Sequence, residues 1–111
     1  MTNTEAEKTV LAAASCVTQK YFFENRFKGL PQDVQKELQI LCVTLAEKLG
    51  CTFLIGFYDD GEVYFETVAA EDDLNFDEIG AELEIKELLR KQREFLRALE
   101  LWYQLVILEM S

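Results

Sequence analysis

Residues 31–49 carry the pattern that most restricts the fold of this chain, because apolar side chains recur there at the spacing of one helix face. Those side chains are Val34, Leu38, Leu41, Cys42, Leu45, Ala46 and Leu49. Pro31 suits the first position of a helix, where its missing N–H is not needed, and Gly50 suits the residue that ends one. The pattern predicts an amphipathic helix that must bury one side against another element.

Two strand-like segments, residues 51–58 and 62–69, flank a short acidic loop that contains Gly61. A three-residue loop with Gly61 in the left-handed conformation pairs Tyr58 with Glu62 and separates apolar from polar side chains. In that register one face carries Phe53, Ile55, Phe57, Val63 and Phe65, and the other carries Glu62, Tyr64 and Glu66. Because two strands alone are marginal in water, we expect residues 16–24, the C-terminal stretch or a second copy to extend or cover this sheet.

A second helical pattern runs from about residue 75 to residue 108. Asn75 is a candidate N-cap with Glu78 three residues later, and Leu74 and Ile79 have the spacing of a hydrophobic staple. An unbroken helix of that length is about 50 Å long, whereas a compact chain of this size is roughly 35 Å across. We therefore expect the helix to break, at Gly80, or to pack its far end on a partner. Residues 102–108 are apolar nearly all round, which suits a continued helix or a strand, and we prefer the helix because no turn residue precedes them.

The N-terminal segment is the part that its pattern decides least. Residues 9–27 contain alanines that favour a helix, followed by β-branched and aromatic residues that favour a strand. The predicted fold class is α+β: an amphipathic helix, an antiparallel β-hairpin and a long C-terminal helix, to which the N-terminal segment adds a helix or a strand. We expect residues 1–8 to be a flexible N-terminal tail and residues 9–111 to be a single domain.

The charge of the chain restricts its partners and its chemistry. Its 111 residues include 21 acidic and 11 basic side chains and no histidine, which gives a net charge of −10. This charge disfavours nucleic acid and anionic membranes, and it favours a basic protein as partner. Without histidine no Ser-His-Asp site can form, so we expect no enzymatic activity and no cofactor. The three cysteines, Cys16, Cys42 and Cys51, lack disulfide or zinc-site spacing, and we expect a cytoplasmic protein.

Eleven carboxylates and no basic residue lie between Leu49 and Ile85. Asp73, Asn75, Asp77 and Glu84 occupy positions 1, 3, 5 and 12 of a calcium-binding loop. Position 6 of such a loop requires glycine, and Glu78 occupies it here. Helix capping and the attraction of carboxylates to a helix N-terminus account for the same residues. A divalent-metal-binding regulator or enzyme that uses the carboxylates of residues 71–84 is therefore an alternative function.

The C-terminal segment also predicts a partner surface. Two apolar rows recur every seven residues: Ile85, Gln92, Leu99 and Val106, and beside them Leu88, Phe95 and Trp102. These rows either cover the hairpin or form a dimer contact. The side chains that we expect at a partner interface are Leu88, Gln92, Phe95, Leu99, Trp102, Tyr103 and Val106. A basic stripe consists of Lys86, Arg90, Arg93 and Arg97, and it is either solvated or in contact with the acidic hairpin of a second copy or with an acidic partner.

Three motifs follow one another in the chain: QKYFFENRFKGLP, ELQILCVTLAEKLG and FDEIGAELEIKELLRKQREF. Their order resembles a family of small bacterial proteins that is catalogued as a domain of unknown function. The resemblance covers residues 9–108 and implies no activity, cofactor or functional residue. We therefore expect a non-enzymatic protein–protein interaction module that forms a homodimer through its C-terminal helix. A further alternative is a small acidic chaperone-like adaptor for a basic partner, suggested by a loose likeness to chaperones that escort secreted effectors.

Overall fold

The computed structural model describes residues 7–70, 73 and 75–109, and it confirms the predicted α+β class. A four-stranded antiparallel sheet has the order β2-β1-β3-β4. Its strands are β1 (Lys8–Ser15), β2 (Lys20–Phe23), β3 (Thr52–Tyr58) and β4 (Val63–Val68). The helices are α1 (Gln32–Leu49), α2 (Glu78–Lys91) and α3 (Arg93–Trp102), with a short 3₁₀ helix at Asn25–Phe27 and a π-helix at Tyr103–Leu108.

The alanine-rich N-terminal segment is a strand, which settles the alternative that its sequence leaves open. Ala12 and Ala14 are buried in the cluster that joins β1 to α1, where small side chains let the helix approach the sheet closely. This burial outweighs the intrinsic preference of alanine for a helix. Residues 20–23 form β2, which pairs with β1, and β1 pairs with β3 of the hairpin. Of the three candidates named above, the 16–24 stretch is therefore the one that extends the sheet. Residues 1–6 of the predicted tail lie outside the described residues, and Lys8 is the first residue of β1.

The β3–β4 hairpin has the predicted register. The Tyr58 N–H donates to the Glu62 carbonyl at 2.8 Å, and Phe57 pairs with Val63. Gly61 has a φ of 95°, a left-handed conformation that glycine adopts without the strain a Cβ would introduce. Phe53 and Phe57 therefore lie on the same, fully buried face of β3.

The α1 helix also follows its sequence pattern, with one difference at its start. Pro31 is the N-cap rather than the first helical residue, and its carbonyl accepts from the Gln35 N–H at 3.0 Å. At the other end Gly50 has a φ of 69° and donates its N–H to the Ala46 carbonyl at 2.8 Å. The predicted glycine cap is therefore confirmed.

All three α-helices pack on one face of the sheet. A single buried cluster joins Phe53 and Ile55 of β3 to side chains of α1, α2 and α3. The opposite face carries Phe22 and Val68, which are 49% and 54% exposed. None of the helices in the described part of the chain covers this second face, so the protein has two layers and one open sheet face.

The C-terminal segment forms two helices, and its start and its break both differ from the prediction. The N-cap of α2 is Asp77, not Asn75: the Asp77 Oδ1 accepts from the Gly80 N–H at 2.9 Å. Gly80 lies inside α2 and does not break it, and a Cβ there would lie 2.4 Å from the Asp77 carboxylate. The break comes instead at Gln92, with φ −108° and ψ 24°. Leu74, one half of the predicted staple, lies outside the described residues.

The break keeps the C-terminal segment on its own domain. Residues 103–108 continue as a π-helix, so the strand alternative is excluded, and the ring of Tyr103 lies 4.5 Å from the ring of Phe57. The molecule measures 44 × 40 × 26 Å, less than the length of an unbroken C-terminal helix along every axis. Across the described ranges, no helix has both the length and the hydropathy needed to cross a membrane.

Candidate partner interface

Three of the side chains predicted at a partner interface are buried inside the protein itself. Leu88, Leu99 and Tyr103 belong to the core cluster, together with Phe57. These three side chains therefore pack within one copy, and a partner surface would be formed by other side chains of the C-terminal helices. The seven-residue repeat marks the side by which α2 and α3 cover the domain, a role that such a repeat shares with dimer seams.

The other predicted interface residues are half-buried at the margins of the C-terminal helices. Phe95 and Trp102 line an apolar groove of about 190 Å³ between α3 and the start of α1. The remaining walls of this groove come from Leu30, Pro31, Val34, Ala98 and Leu99. Gln92 forms the elbow between α2 and α3, and Val106 lies in the π-helix. The predicted set is therefore divided among the core, a small groove that α1 borders, the elbow and the π-helix.

The exposed side of the C-terminal helices carries a different apolar row, which the seven-residue repeat does not include. Ten large hydrophobic side chains are exposed among the described residues, and six of them lie between residues 79 and 108. We call this surface the outer face, and its members are Ile79, Leu83, Leu89, Leu101, Leu105 and Leu108. On α3 the exposed Ala98 and Leu101 lie three residues apart on one helix face, and Leu105 and Leu108 follow in the π-helix.

The four residues of the predicted basic stripe meet at the elbow between α2 and α3. Lys86, Arg90, Arg93 and Arg97 line a concave groove of about 450 Å³, which we call the basic groove. Its lining is completed by Leu89, Leu96 and Glu100. A hydrogen bond from Arg90 lowers the pKa of the Glu87 carboxyl and raises the pKa of Arg90 itself. Lys86, Arg93 and Arg97 form no ion pair with any residue that the structure describes.

The loop of the β3–β4 hairpin lies against α3, beside the basic groove. The Glu100 Oε2 accepts a hydrogen bond from the Val63 N–H at 2.9 Å. A Cβ at Gly61 would lie 3.1 Å from the Tyr103 ring and 3.2 Å from the Gln104 side chain, so the loop touches the helix here. The loop exposes three carboxylates, which we call the acidic tip: Asp59, Asp60 and Glu62. Surfaces of opposite charge therefore lie next to each other along one helix.

The carboxylates predicted as metal ligands do not converge. The Asp73 Oδ1 accepts from the Asn75 N–H at 3.0 Å, and Asp77 caps α2 through the Gly80 N–H. Glu84 lies 3.0 Å from the Lys48 ammonium group of α1. No group of three or more ligand-type side chains suited to a metal occurs in residues 7–70, 73 and 75–109, and Glu71 and Asp72 lie outside them. Asp77 has the capping role that the sequence also permits.

Two ionisable side chains, Cys42 of α1 and Tyr21 of β2, have pKa values that burial shifts. Burial raises the pKa of the Cys42 thiol to about 12. Burial likewise raises the pKa of Tyr21 to about 12, and its hydroxyl oxygen has no hydrogen-bond partner among the described residues. A nucleophile or general base acts in its ionised form, and neither group is ionised near neutral pH.

The open sheet face is a second exposed surface, but its side chains largely contact one another. The Lys8 ammonium group lies 3.0 Å from the Glu66 carboxylate and 5.2 Å from the centre of the Tyr64 ring. The exposed apolar side chains of this face, Phe22 and Val68, belong to the two edge strands of the sheet. They are about 14 Å apart across the strands, too far to form one apolar patch.

Comparison with known proteins identifies a family without assigning an activity. The family model described as "Family of unknown function (DUF6145)" matches residues 8–111, which begin at the first residue of β1 and include every element described above. No curated protein and no solved structure matches the chain. The resemblance predicted from the three motifs is confirmed at the level of a family of unknown function.

Proposed function

We propose that the chain, which belongs to the DUF6145 family of unknown function, is a non-enzymatic protein–protein interaction module that forms a homodimer. The contact surface of the proposed dimer is the outer face of the C-terminal helices. One observation carries the proposal: six of the ten exposed large hydrophobic side chains of the described residues lie on this segment. A concentration of exposed apolar side chains of this kind is typical of an interaction site.

The apolar side chains of the outer face contribute enough free energy to matter for association. Leu101 and Leu105 are 56% and 54% exposed on successive turns. Burying a whole leucine side chain is worth about 1.5–3 kcal/mol, so burying the exposed half of each yields about 1 kcal/mol. A symmetric dimer contains each contact twice, which raises the sum to about 4 kcal/mol. That sum is about half of the free energy of a micromolar complex.

The non-enzymatic part of the proposal is supported by the residues that the chain contains. The sequence has no histidine, and the candidate metal ligands of the described residues cap a helix, order a loop or pair with a lysine. We also propose a cytoplasmic location, because all three cysteines are free. The net charge of −10 supports a protein partner rather than nucleic acid or an anionic membrane.

The solution mass tests the homodimer. Light scattering coupled to size exclusion, over a range of micromolar concentrations, should give twice the chain mass of 12.8 kDa. Leu101→Glu should give the monomer mass, since it removes an apolar contact and places a carboxylate in the interface. Val17→Glu is the matched control, because Val17 is 77% exposed in the turn between β1 and β2 and the substitution changes the charge equally.

The possible outcomes test both the homodimer and the choice of the outer face as its contact surface. A dimer that survives Val17→Glu but not Leu101→Glu supports the outer face as the contact surface. A wild-type protein that stays monomeric over the whole concentration range would contradict the homodimer. A dimer that Leu101→Glu leaves intact would contradict the choice of surface.

A further inference from the structure

We propose that the two α3 helices of the dimer pair antiparallel about Leu101, and that Arg93 and Arg97 of each copy bind the acidic tip of the other. This inference rests on the proposed homodimer and names the contacts that orient it. The partner that binds this surface is a second copy of the chain. The reason is charge complementarity between two surfaces that each copy carries, the basic groove and the acidic tip.

Repulsion between the copies makes such local contacts necessary. Each chain carries a net charge of −10, so two copies repel one another unless opposite charges meet at the interface. The basic groove collects four of the 11 basic residues of the chain. Arg93 and Arg97 have no ion-pair partner within the described residues of their own copy, so both are available to a carboxylate of another.

The two arginines lie on the edge of α3 that faces the hairpin. Arg93, Arg97 and Glu100 follow one another at intervals of four and three residues on α3, which places them along one edge of the helix, and Gln104 follows in the π-helix. The hairpin position is fixed on that edge by the Glu100 contact to the Val63 N–H and by the packing of Gly61 on Gln104. In an antiparallel pair related by a two-fold axis, this edge of one helix faces the same edge of the other.

The axial register then brings Arg97 to the level of the acidic tip, with Arg93 one turn farther along the same edge. When Leu101 lies opposite Leu101, Arg97 lies opposite Leu105 of the second copy, and the acidic tip of that copy lies beside Gln104. One residue along a helix is about 1.5 Å, so the guanidinium group and the tip are nearly level. A parallel pair about a two-fold axis would instead bring this edge of one helix to the opposite edge of the other, so Arg97 would not reach the acidic tip of the second copy. The antiparallel arrangement is therefore the one that satisfies both the apolar row and the charges.

Charge reversal tests the contact on the full-length chain. The first variant combines Arg93→Glu with Arg97→Glu, and the second combines Asp59→Lys with Glu62→Lys. Asp60 is left unchanged because its carboxylate accepts the Glu62 N–H at 2.9 Å within the turn. Each variant should raise the dimer Kd by at least about tenfold, since like charges then meet twice per dimer. The variant with all four substitutions restores the opposite charges and should return the Kd to within about threefold of wild type.

A matched control separates the contact from the effect of net charge. Lys20→Glu combined with Lys36→Glu changes the net charge as much as the two arginine reversals do, at exposed positions of β2 and α1. Sedimentation equilibrium should show that this control weakens the dimer less than the arginine reversals. Rescue by the fourfold variant supports the proposed contact. Reversals that leave the Kd of an intact dimer at the control value would overturn this inference alone, whereas a monomeric wild type would overturn the proposed function.

Discussion

Replacing Glu100 tests how the C-terminal helices are attached to the sheet. The Glu100 carboxylate accepts the N–H of Val63 at 2.9 Å in a partly buried site, and Val63 is the first residue of β4. Since β4 is an edge strand, this N–H has no strand partner on its outer side. Glu100→Ala removes the acceptor. Because the site is partly buried, water can replace this hydrogen bond only in part.

The magnitude follows from the charge and the burial of the contact. A hydrogen bond to a charged group contributes about 1.5–3 kcal/mol, and partial access of water places this one near 2 kcal/mol. A domain of this size loses about 4 °C in Tm per kcal/mol, so Glu100→Ala should melt about 8 °C below wild type. Glu100→Gln keeps an oxygen acceptor without the charge and should lose about half as much.

Equilibrium unfolding in guanidinium chloride measures the loss. Protein concentration must be equal in all samples, because the stability of a dimer depends on it. Glu47→Ala is the control, since Glu47 is an exposed carboxylate of α1 that forms no ion pair with a described residue. We expect this control to unfold within about 0.5 kcal/mol of wild type.

Amide hydrogen exchange locates the effect. Loss of the Glu100 acceptor should accelerate exchange of the Val63 amide more than that of the Gly61 amide, which donates to the Tyr58 carbonyl at 2.9 Å. If Glu100→Ala unfolds within about 0.5 kcal/mol of wild type and the Val63 amide keeps its protection, the contact does not stabilise the fold and the reasoning is refuted.

Three further predictions concern the sheet and the thiols. Gly56→Ala places a Cβ 2.4 Å from the Thr9 carbonyl oxygen, so urea denaturation should show a loss of about 1–3 kcal/mol. Gly29→Ala is the control: its Cβ would lie 3.7 Å from the Trp102 ring, and it should change stability by less than about 1 kcal/mol. Burial raises the pKa of Cys42 in the folded protein from an ordinary 9.0 to about 12, so the unfolded state ionises first and stability should fall as the pH rises from about 9 to 12. Alkylation at pH values below that range, followed by mass spectrometry, should modify the partly exposed Cys16 before Cys42; equal rates would contradict the burial.

The elements that could be predicted are those whose signals are local. The α1 pattern is contained within 18 residues, and the glycine that follows it has the left-handed conformation typical of a helix C-terminus. The hairpin register follows from sorting side chains between two faces around Gly61. Both predictions hold because each compares conformations of one short segment, without reference to the rest of the chain.

The elements that could not be predicted depend on distant contacts. The segment with Ala12 and Ala14 forms a strand because β3 pairs with it and α1 covers it, although alanine alone favours a helix. The break of the C-terminal helix falls at Gln92 rather than at a glycine, where the chain turns so that α3 and the π-helix reach the hairpin. Local propensity carries no information about such packing.

For the candidate interface, the sequence by itself determined the amphipathic spacing of the C-terminal helices and the grouping of their charges. Only the tertiary structure decided which side of those helices faces outward: Leu88 and Leu99 are buried, and Leu101 and Leu105 are exposed. It also decided that the basic groove lies beside the acidic tip, since residues 59–62 and 86–97 are adjacent only in the fold. The physical reason is that the repeat in a helix tells which side chains share a face, but not which face is buried. The packing of one face on the sheet decides that, and the opposite face remains exposed to a partner.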